Sequence, residues 1–455
     1  MMTGMLSLDE LERLIRDGQI DTVIVAFPDM QGRLMGKRCT GTFFLNGARK
    51  ETHACNYLLT ADMEMEPVPG YAAASWSLGY GDFVLKPDLA TLRRVPWLEG
   101  TALVLADLED EQGKALAHAP RNMLKRQLER LAERGWSAFC ASELEFYLYE
   151  ESYEEARRRN YRDLSPAGWY IEDYHIFQTT KEEGLIRAIR NGMQQAGIPV
   201  EASKGEWGPG QEEINFEYAG ALDMADRHVI YKNGAHEIAH AHGRALTFMA
   251  KPSVATAGSS CHIHCSLRET ESGRALFHDP AVADGVGPLF RHFLAGQLAL
   301  AQEYTLLLAP FVNSFKRFQA QSFAPTCITW SWDNRTTGFR AVGHGGSLRV
   351  ENRIPGADCN PYIAYAAMLA AGLHGIDHEL PLEPAHQGNA YESKDVPRVP
   401  GTLREAIERL EGSTVLRTAF GDAVIEHYLH AARHEQADFD RTVTDYELRR
   451  MFERG

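Results

Sequence analysis

Five stretches of this chain carry side chains suited to binding cations or anions. SELEFYLY (142–149) holds Glu143 and Glu145 two residues apart. GEWGPGQEEINFEY (205–218) places Glu206 before a Gly-Pro-Gly turn and Glu213 after it. GSSCHIHCSL (258–267) contains His262, His264 and Ser266, and NSFKRF through WDNRTTGFR (313–340) contains Arg317, Arg335 and Arg340. GGSLRVENRIPG (345–356) contains Arg349, Glu351 and Arg353. Neighbouring carboxylates repel unless something positive stands between them. Hard divalent cations want several oxygens and tolerate one histidine. Phosphoryl transfer wants cations on the phosphates and arginines on the developing charge. Five carboxylates, a histidine and a ring of arginines supply that inventory, so the expectation is a metal-dependent enzyme that uses ATP.

Strand alternation sorts these groups. Glu143 and Glu145 share one face, with Leu144 and Phe146 on the other. His262, His264 and Ser266 face away from Cys261, Ile263 and Cys265. The four Cys and His side chains therefore cannot converge on one tetrahedral zinc in a regular strand. Arg349, Glu351 and Arg353 share a face. Taken singly, these stretches also suit a solvated edge strand, an acid-flanked hairpin, two core histidines or an Arg–Glu–Arg ion-pair ladder.

The elements that must position these groups are legible as patterns. Ser7 caps an amphipathic helix over 7–17, TVIVAFPDMQGRLMGKR reads as strand–turn–strand, and 102–110 is a strand. A long helix covers 119–135, so a boundary falls in the acidic, Gly-containing turn at 111–118, giving domains 1–113 and 119–455. Strand-like pieces follow at 138–148, 200–218, 260–268 and 346–354. Helical pieces follow at 182–196, 223–245, 285–306, 361–374 and 402–411. The Tyr-, Arg- and Asp-rich segment 150–176 reads as a surface insertion. No GxxxxGK[ST] and no GxGxxG after a strand is present, so ATP is not held by a P-loop or Rossmann turn.

The 455 residues favour two domains, and a formal net charge of −15 argues against nucleic acid as a partner. Seven scattered cysteines suggest a reduced interior. No run approaches a membrane span, and the N-terminus lacks the basic and apolar regions of a signal peptide, so the expected location is cytoplasmic.

In order, SELEF, EWGPGQEE, YKNGAHEIAHAHGRALTFMAKP, GSSCHIHCSL, NSFKRF, NR…FR and RVENR resemble the motifs of the glutamine synthetase superfamily over nearly the whole length. That resemblance implies an α+β fold: a small N-terminal β-grasp domain and a catalytic domain with a curved antiparallel sheet flanked by helices. It implies a homo-oligomer, commonly a dodecamer of two hexameric rings, with active sites between subunits. Carried over by position, Glu145, Glu206 and Glu213 match the ligands of the metal nearer the amino-acid substrate. Glu143, His262 and Glu351 match those of the metal on the nucleotide phosphates. Arg335 and Arg340 match the arginines on the transferred phosphoryl group, and Arg317, Arg353 and Gly258 match glutamate contacts. His264, Ser266 and Arg349 match nucleotide contacts. The implied cofactors are ATP and two or three Mg²⁺ or Mn²⁺ per site; the implied chemistry activates the γ-carboxylate of L-glutamate for attack by an amine.

The chain departs from ammonia-using members at two places. Phe323, in RFQAQSFAP, stands where those members carry a flap glutamate. In PVPGYAAASW, Val68 falls at the position of an ammonium-binding aspartate and Tyr71 at that of a serine, with Glu64 and Glu66 the nearest acids. Ala257 replaces an asparagine before Gly258. The expectation is a glutamate–amine ligase making a γ-glutamylamide, with Tyr71, Trp76, Trp207 and Phe323 lining the amine pocket. AFPDMQGRLMGKR and CNYLLTADMEM resemble members assigned to ethanolamine or other small monoamines. The alternatives are an ammonia-using glutamine synthetase relying on Glu64 or Glu66, a γ-glutamylpolyamine synthetase, and an inactive structural or regulatory homologue.

Overall fold

A computed structural model describes residues 4–455. Its N-terminal sheet comprises β1 (Thr22–Pro28), β2 (Leu34–Thr40), β3 (Thr52–Cys55), β4 (Asp82–Pro87), β5 (Arg93–Arg94) and β6 (Thr101–Glu109), in the order β2-β1-β6-β4-β3 with β5 also on β6. β1 runs antiparallel to β2 and parallel to β6. Alternation divides this sheet between two cores. Val23, Val25, Phe27, Ala102, Val104 and Ala106 pack with Leu11 and Leu14 of helix Leu8–Arg16, while Ala26, Leu103 and Leu105 face the main core. Ser7 closes a capping box with Glu10 at that helix's start.

The larger sheet comprises β7 (Trp136–Tyr149), β8 (Val200–Gly205), β9 (Gln211–Phe216), β10 (Ala219–Gly220), β11 (Ala245–Thr247), β12 (Cys261–Glu269), β13 (Trp330–Trp332), β14 (Phe339–Val342) and β15 (Arg349–Asn352). Its order is β13-β14-β15-β12-β7-β9-β8, with β10 and β11 also on β7. β13 and β14 pair parallel, so the sheet is not wholly antiparallel as expected. The stretch 200–218 divides into β8 and β9 around the Gly-Pro-Gly turn, joined antiparallel. Leu144 and Phe146 lie in the main core, where burial of each contributes roughly 1.5–3 kcal/mol. Helices Pro120–Ala132, Ala221–Ala241, Pro288–Leu308 and Pro361–Asp377 supply much of that core.

Two features differ from the sequence reading. Helices Thr414–Phe420, Asp422–Arg441 and Asp445–Met451 extend the C-terminal end beyond the last predicted helix. The segment 150–176 is not merely superficial: Glu151 and Glu172 within it are buried. Among the described residues, no helix is long and apolar enough to cross a membrane.

Candidate active site

Register assembles the site. On β7, Glu145 lies opposite Glu213 of β9, and Glu143 lies opposite His262 of β12. His264 lies opposite Glu351 of β15, which lies opposite Arg340 of β14. Five strands thus present alternating polar positions along one face, lining a cavity of 610 Å³.

One oxygen from each of Glu145, Glu206 and Glu213 falls within 4.8 Å of the others. Glu206 reaches that point because its backbone N–H donates to Gln211 O at 2.7 Å, closing the turn. Burial and the nearby Glu206 push the Glu145 carboxyl up to about 7, against hydrogen bonds from Ser260. Ser260 N donates to Glu145 Oε2 at 2.9 Å and Gln211 Nε2 donates to the same oxygen at 3.0 Å. Burial, Glu206 and Glu143 also raise Glu213. Lys204 pairs with Glu206. Three carboxylates gathered out of water, two of them resisting ionisation, fit a divalent cation at this point.

A second group forms around Glu143. His264 Nε2 lies 2.8 Å from Glu143 Oε1, and His262 Nδ1 lies 3.4 Å from Glu143 Oε2 and 3.7 Å from Glu351 Oε1. One ligand atom from each of Glu143, His264 and Glu351 falls within 4.8 Å of the others, whereas the sequence reading chose His262. Their neighbours separate the two rings. Arg349 Nε donates to His264 Nδ1 at 3.2 Å, which leaves the proton on Nε2, donated to Glu143. That ring has no lone pair aimed at a cation. Burial, aided by Arg353, lowers His262 to about 4, so it is neutral and its Nδ1 faces both carboxylates. Burial opposes ionisation of Glu143, but hydrogen bonds to His262 and His264 hold its carboxyl below the usual range.

The arginines are aimed by neighbours. Arg353 Nη1 and Arg340 Nη1 grip Glu351 at 2.6 and 2.5 Å, and Arg340 Nη2 reaches Asp333 at 2.6 Å. Burial disfavours a charged Glu351, yet Arg353, the histidines and Arg340 keep it below its ordinary range. Arg317 is buried and donates to the carbonyls of Ile354 and Arg353 at 2.8 and 2.9 Å. Gly258 is required beside it, since a Cβ there would stand 2.7 Å from both Ala250 O and Arg317 Cγ. Arg335 lines the same cavity from an exposed position. Ser266 lies in an adjoining cavity of 350 Å³ that shares Glu143, Asn215, His264 and Arg349 with the first. Glu143 and His264, of the second acidic group, thus line both cavities.

Phe323 stands in the cavity wall with its ring 5.6 Å from that of Trp207, edge to face. Its backbone is left-handed (φ 59°), as is that of Gln321 (φ 61°), and its carbonyl accepts from Arg353 Nη2 at 3.3 Å. Tyr71 is not brought to the site. It is buried against His427 and His430 of the helix Asp422–Arg441, at 4.6 and 4.4 Å between rings, and Val68 is buried too. A residue consumed by its own chain's core cannot line a neighbour's pocket, so Tyr71 leaves the candidate list. Trp76, Glu64 and Glu66 are exposed. Sequence reasoning missed Asp173, Lys204, Gln211 and Ser260. Asp173 lay hidden in the supposed insertion, yet it lines the cavity and its N–H donates to Glu206 O at 3.0 Å.

Residues 117–451 match the family described as glutamine synthetase, catalytic domain. The chain is 52% identical to gamma-glutamylethanolamide synthetase of Streptomyces coelicolor over 453 residues, covering 99% of this chain and 97% of that protein. It is 37% identical to glutamate–isopropylamine ligase of a Pseudomonas species, covering 96% of each. The solved structure of GmaS with ADP superposes with a TM-score of 0.85 at 28% identity, covering 97% of this chain and 99% of that one. With the match spanning most of its length and its strand register placing the carboxylates, histidines and arginines along one groove, this chain belongs to the glutamine synthetase family.

Proposed function

We propose that the protein is an ATP-dependent ligase joining the γ-carboxylate of L-glutamate to a small organic monoamine, ethanolamine being favoured. The observation that carries the choice of amine over ammonia is the Phe323–Trp207 pair in the cavity wall. An aromatic face offers no proton acceptor, but it does offer apolar contact to the carbon skeleton of an amine. The relatives named for a gamma-glutamylethanolamide product and for isopropylamine as the joined amine support the same reading.

The reaction proceeds in two steps. The γ-phosphoryl group of ATP passes to a γ-carboxylate oxygen of glutamate, giving γ-glutamyl phosphate and ADP. The amine nitrogen then attacks the acyl carbon, the carbon–oxygen bond to phosphate breaks, and the nitrogen loses a proton. Glu145, Glu206 and Glu213 would hold one divalent cation and Glu143, His262 and Glu351 another, Mg²⁺ or Mn²⁺, two or three ions per site in all. Bound there, such ions offset the charge of the phosphates. Arg335 and Arg340 stabilise the equatorial oxygens in flight, while Arg317, Arg353 and Gly258 position glutamate. Arg349, His264 and Ser266 hold the nucleotide along the groove. The acting form is a cytoplasmic ring oligomer, two hexamers stacked, with residues 1–113 of one chain completing the site on residues 119–455 of the next.

The test is phosphate release that depends on ATP, glutamate and Mg²⁺, measured across an amine panel. Ethanolamine or a similar monoamine is expected to show the highest kcat/KM. Ammonium at least as efficient as every organic amine would overturn the proposal.

A further inference from the structure

One group of acids has no part in the chemistry above. Glu172, from the loop before the short helix Ile176–Thr179, Glu182 at the entrance of helix Glu183–Gln195 and Glu212 of β9 each bring a carboxylate oxygen within 4.8 Å of the others. Strand alternation puts Glu212 on the face opposite Glu213, so this group lies behind the catalytic sheet rather than in the groove. All three are buried: Glu172 is 0% exposed, Glu182 6% and Glu212 1%. Gly210 N donates to Glu172 Oε1 at 2.5 Å. Against that, both oxygens of Glu182, Glu172 Oε2 and Glu212 Oε1 lie without a well-formed hydrogen bond, and the fully buried amide of Gln178 is set toward Glu172.

A buried carboxylate without a partner is costly, and three together repel one another. The group must therefore be neutralised by shared protons or by a cation. Its dimensions suit a cation: oxygens bound at about 2.3–2.6 Å to a hard divalent ion lie up to roughly 5 Å apart across it. The pocket is also built around a fixed carboxylate. A Cβ on Gly168 would fall 1.3 Å from Glu172 Oε1, and one on Gly205 would fall 2.8 Å from Glu172 Cβ.

We propose that Glu172, Glu182 and Glu212 bind one hard, oxygen-preferring divalent cation, distinct from the ions of the catalytic groove. Its role is positional. Glu172 is tied to the Gly-Pro-Gly turn through Gly210, and its neighbour Asp173 is tied to Glu206. A cation clamping Glu172 and Glu182 onto β9 fixes the turn that carries Glu206 and Trp207 into the cavity.

The test uses Mn²⁺ alone as the probe. Crystals of the full-length protein are soaked in Mn²⁺ and anomalous density is measured, and the number of ions per chain is counted in solution for the wild type, Glu182→Gln and Glu212→Gln. A peak at coordination distance from all three carboxylates, with a loss of one ion per chain in each variant that folds, is the expected result. No peak at the triad, whatever the catalytic groups show, overturns the proposal and leaves shared protons as the neutralising device. An unchanged ion count in a folded Glu182→Gln variant overturns it equally.

Discussion

In the proposed function, substrate choice turns on Phe323. It sits in a left-handed backbone position that glutamate tolerates no worse than phenylalanine does, so Phe323→Glu changes the side chain without a new backbone strain. The substituted carboxylate can hold an ammonium ion and accept a proton from it, while the edge-to-face contact with Trp207 is lost. We expect the ratio of kcat/KM for ammonium to that for ethanolamine to rise by about tenfold, some 1.4 kcal/mol of discrimination, read from phosphate release. An unchanged ratio would place amine selection elsewhere, with Asp173 the next group to vary. Glu145 gives a second expectation. Its carboxyl, raised to about 7, must lose its proton before it can ligate a cation. Protons therefore compete with the metal below that pH, and affinity for Mn²⁺ rises with pH by up to about tenfold per unit for each proton displaced. The raised Glu213 extends the rise upward, whereas His262, already neutral above about 4, adds nothing to it. Calorimetric titration from pH 5.5 to 8 checks this, and Glu145→Gln should flatten the lower part of the curve.

At the scale of elements, a buried guanidinium helps to fasten the N-terminal sheet to the catalytic helices. Arg121, in helix Pro120–Ala132, reaches Asp107 of β6 at 2.5 Å, Asp88 just after β4 at 2.7 Å, and Asp226 of helix Ala221–Ala241 at 3.0 Å. Tyr362 of helix Pro361–Asp377 donates to Asp226 at 2.6 Å. Replacing Arg121 leaves Asp226 buried without its counter-charge, and breaking such a pair costs about 3–5 kcal/mol. Arg121→Met, which keeps much of the volume, should lower the denaturation midpoint accordingly, and near-wild-type unfolding would show that Tyr362 alone suffices for Asp226. The strands that build the groove were legible because period-two alternation is a local property. It put Glu143 and Glu145 together, split His262 and His264 from Cys261 and Cys265, and so excluded zinc. What alternation could not supply was register. Which histidine is fastened to Arg349 and which stands between Glu143 and Glu351 is fixed by a contact 85 positions apart in sequence. The burial of Tyr71 under the helix Asp422–Arg441 is likewise a long-range contact without a local signal. Asp173 and Glu172 were missed because a polar, aromatic-rich segment has the composition of a surface loop even when two of its acids point inward.

For the molecule as a whole, the open question is what closes the amine side of the groove. Trp207 and Phe323 are the chain's own apolar contribution there, and its N-terminal part holds exposed acids and exposed apolar side chains in one short region: Glu64 and Glu66, then Trp76 (79% exposed) and Leu78 (63%) on the turn Trp76–Leu78. Large apolar side chains adjacent on a surface mark a place where another surface packs. In a ring built by a head-to-tail contact, such a patch on one chain meets a different surface on the next, and every site is completed by a neighbour. Trp76→Asp with Leu78→Asp introduces two carboxylates into that contact, which an apolar interface cannot bury unpaired. If the proposed double ring of twelve 50.9 kDa chains is the acting form, the scattering mass should fall from near that total to that of small species. Ligase activity should fall in proportion to the ring remaining, while Mn²⁺ binding to the carboxylates of the separate chain persists. The pairing of these readouts is decisive. Activity retained by dissociated chains would show that one chain closes its own groove, and intact rings despite both substitutions would place the interface on another face.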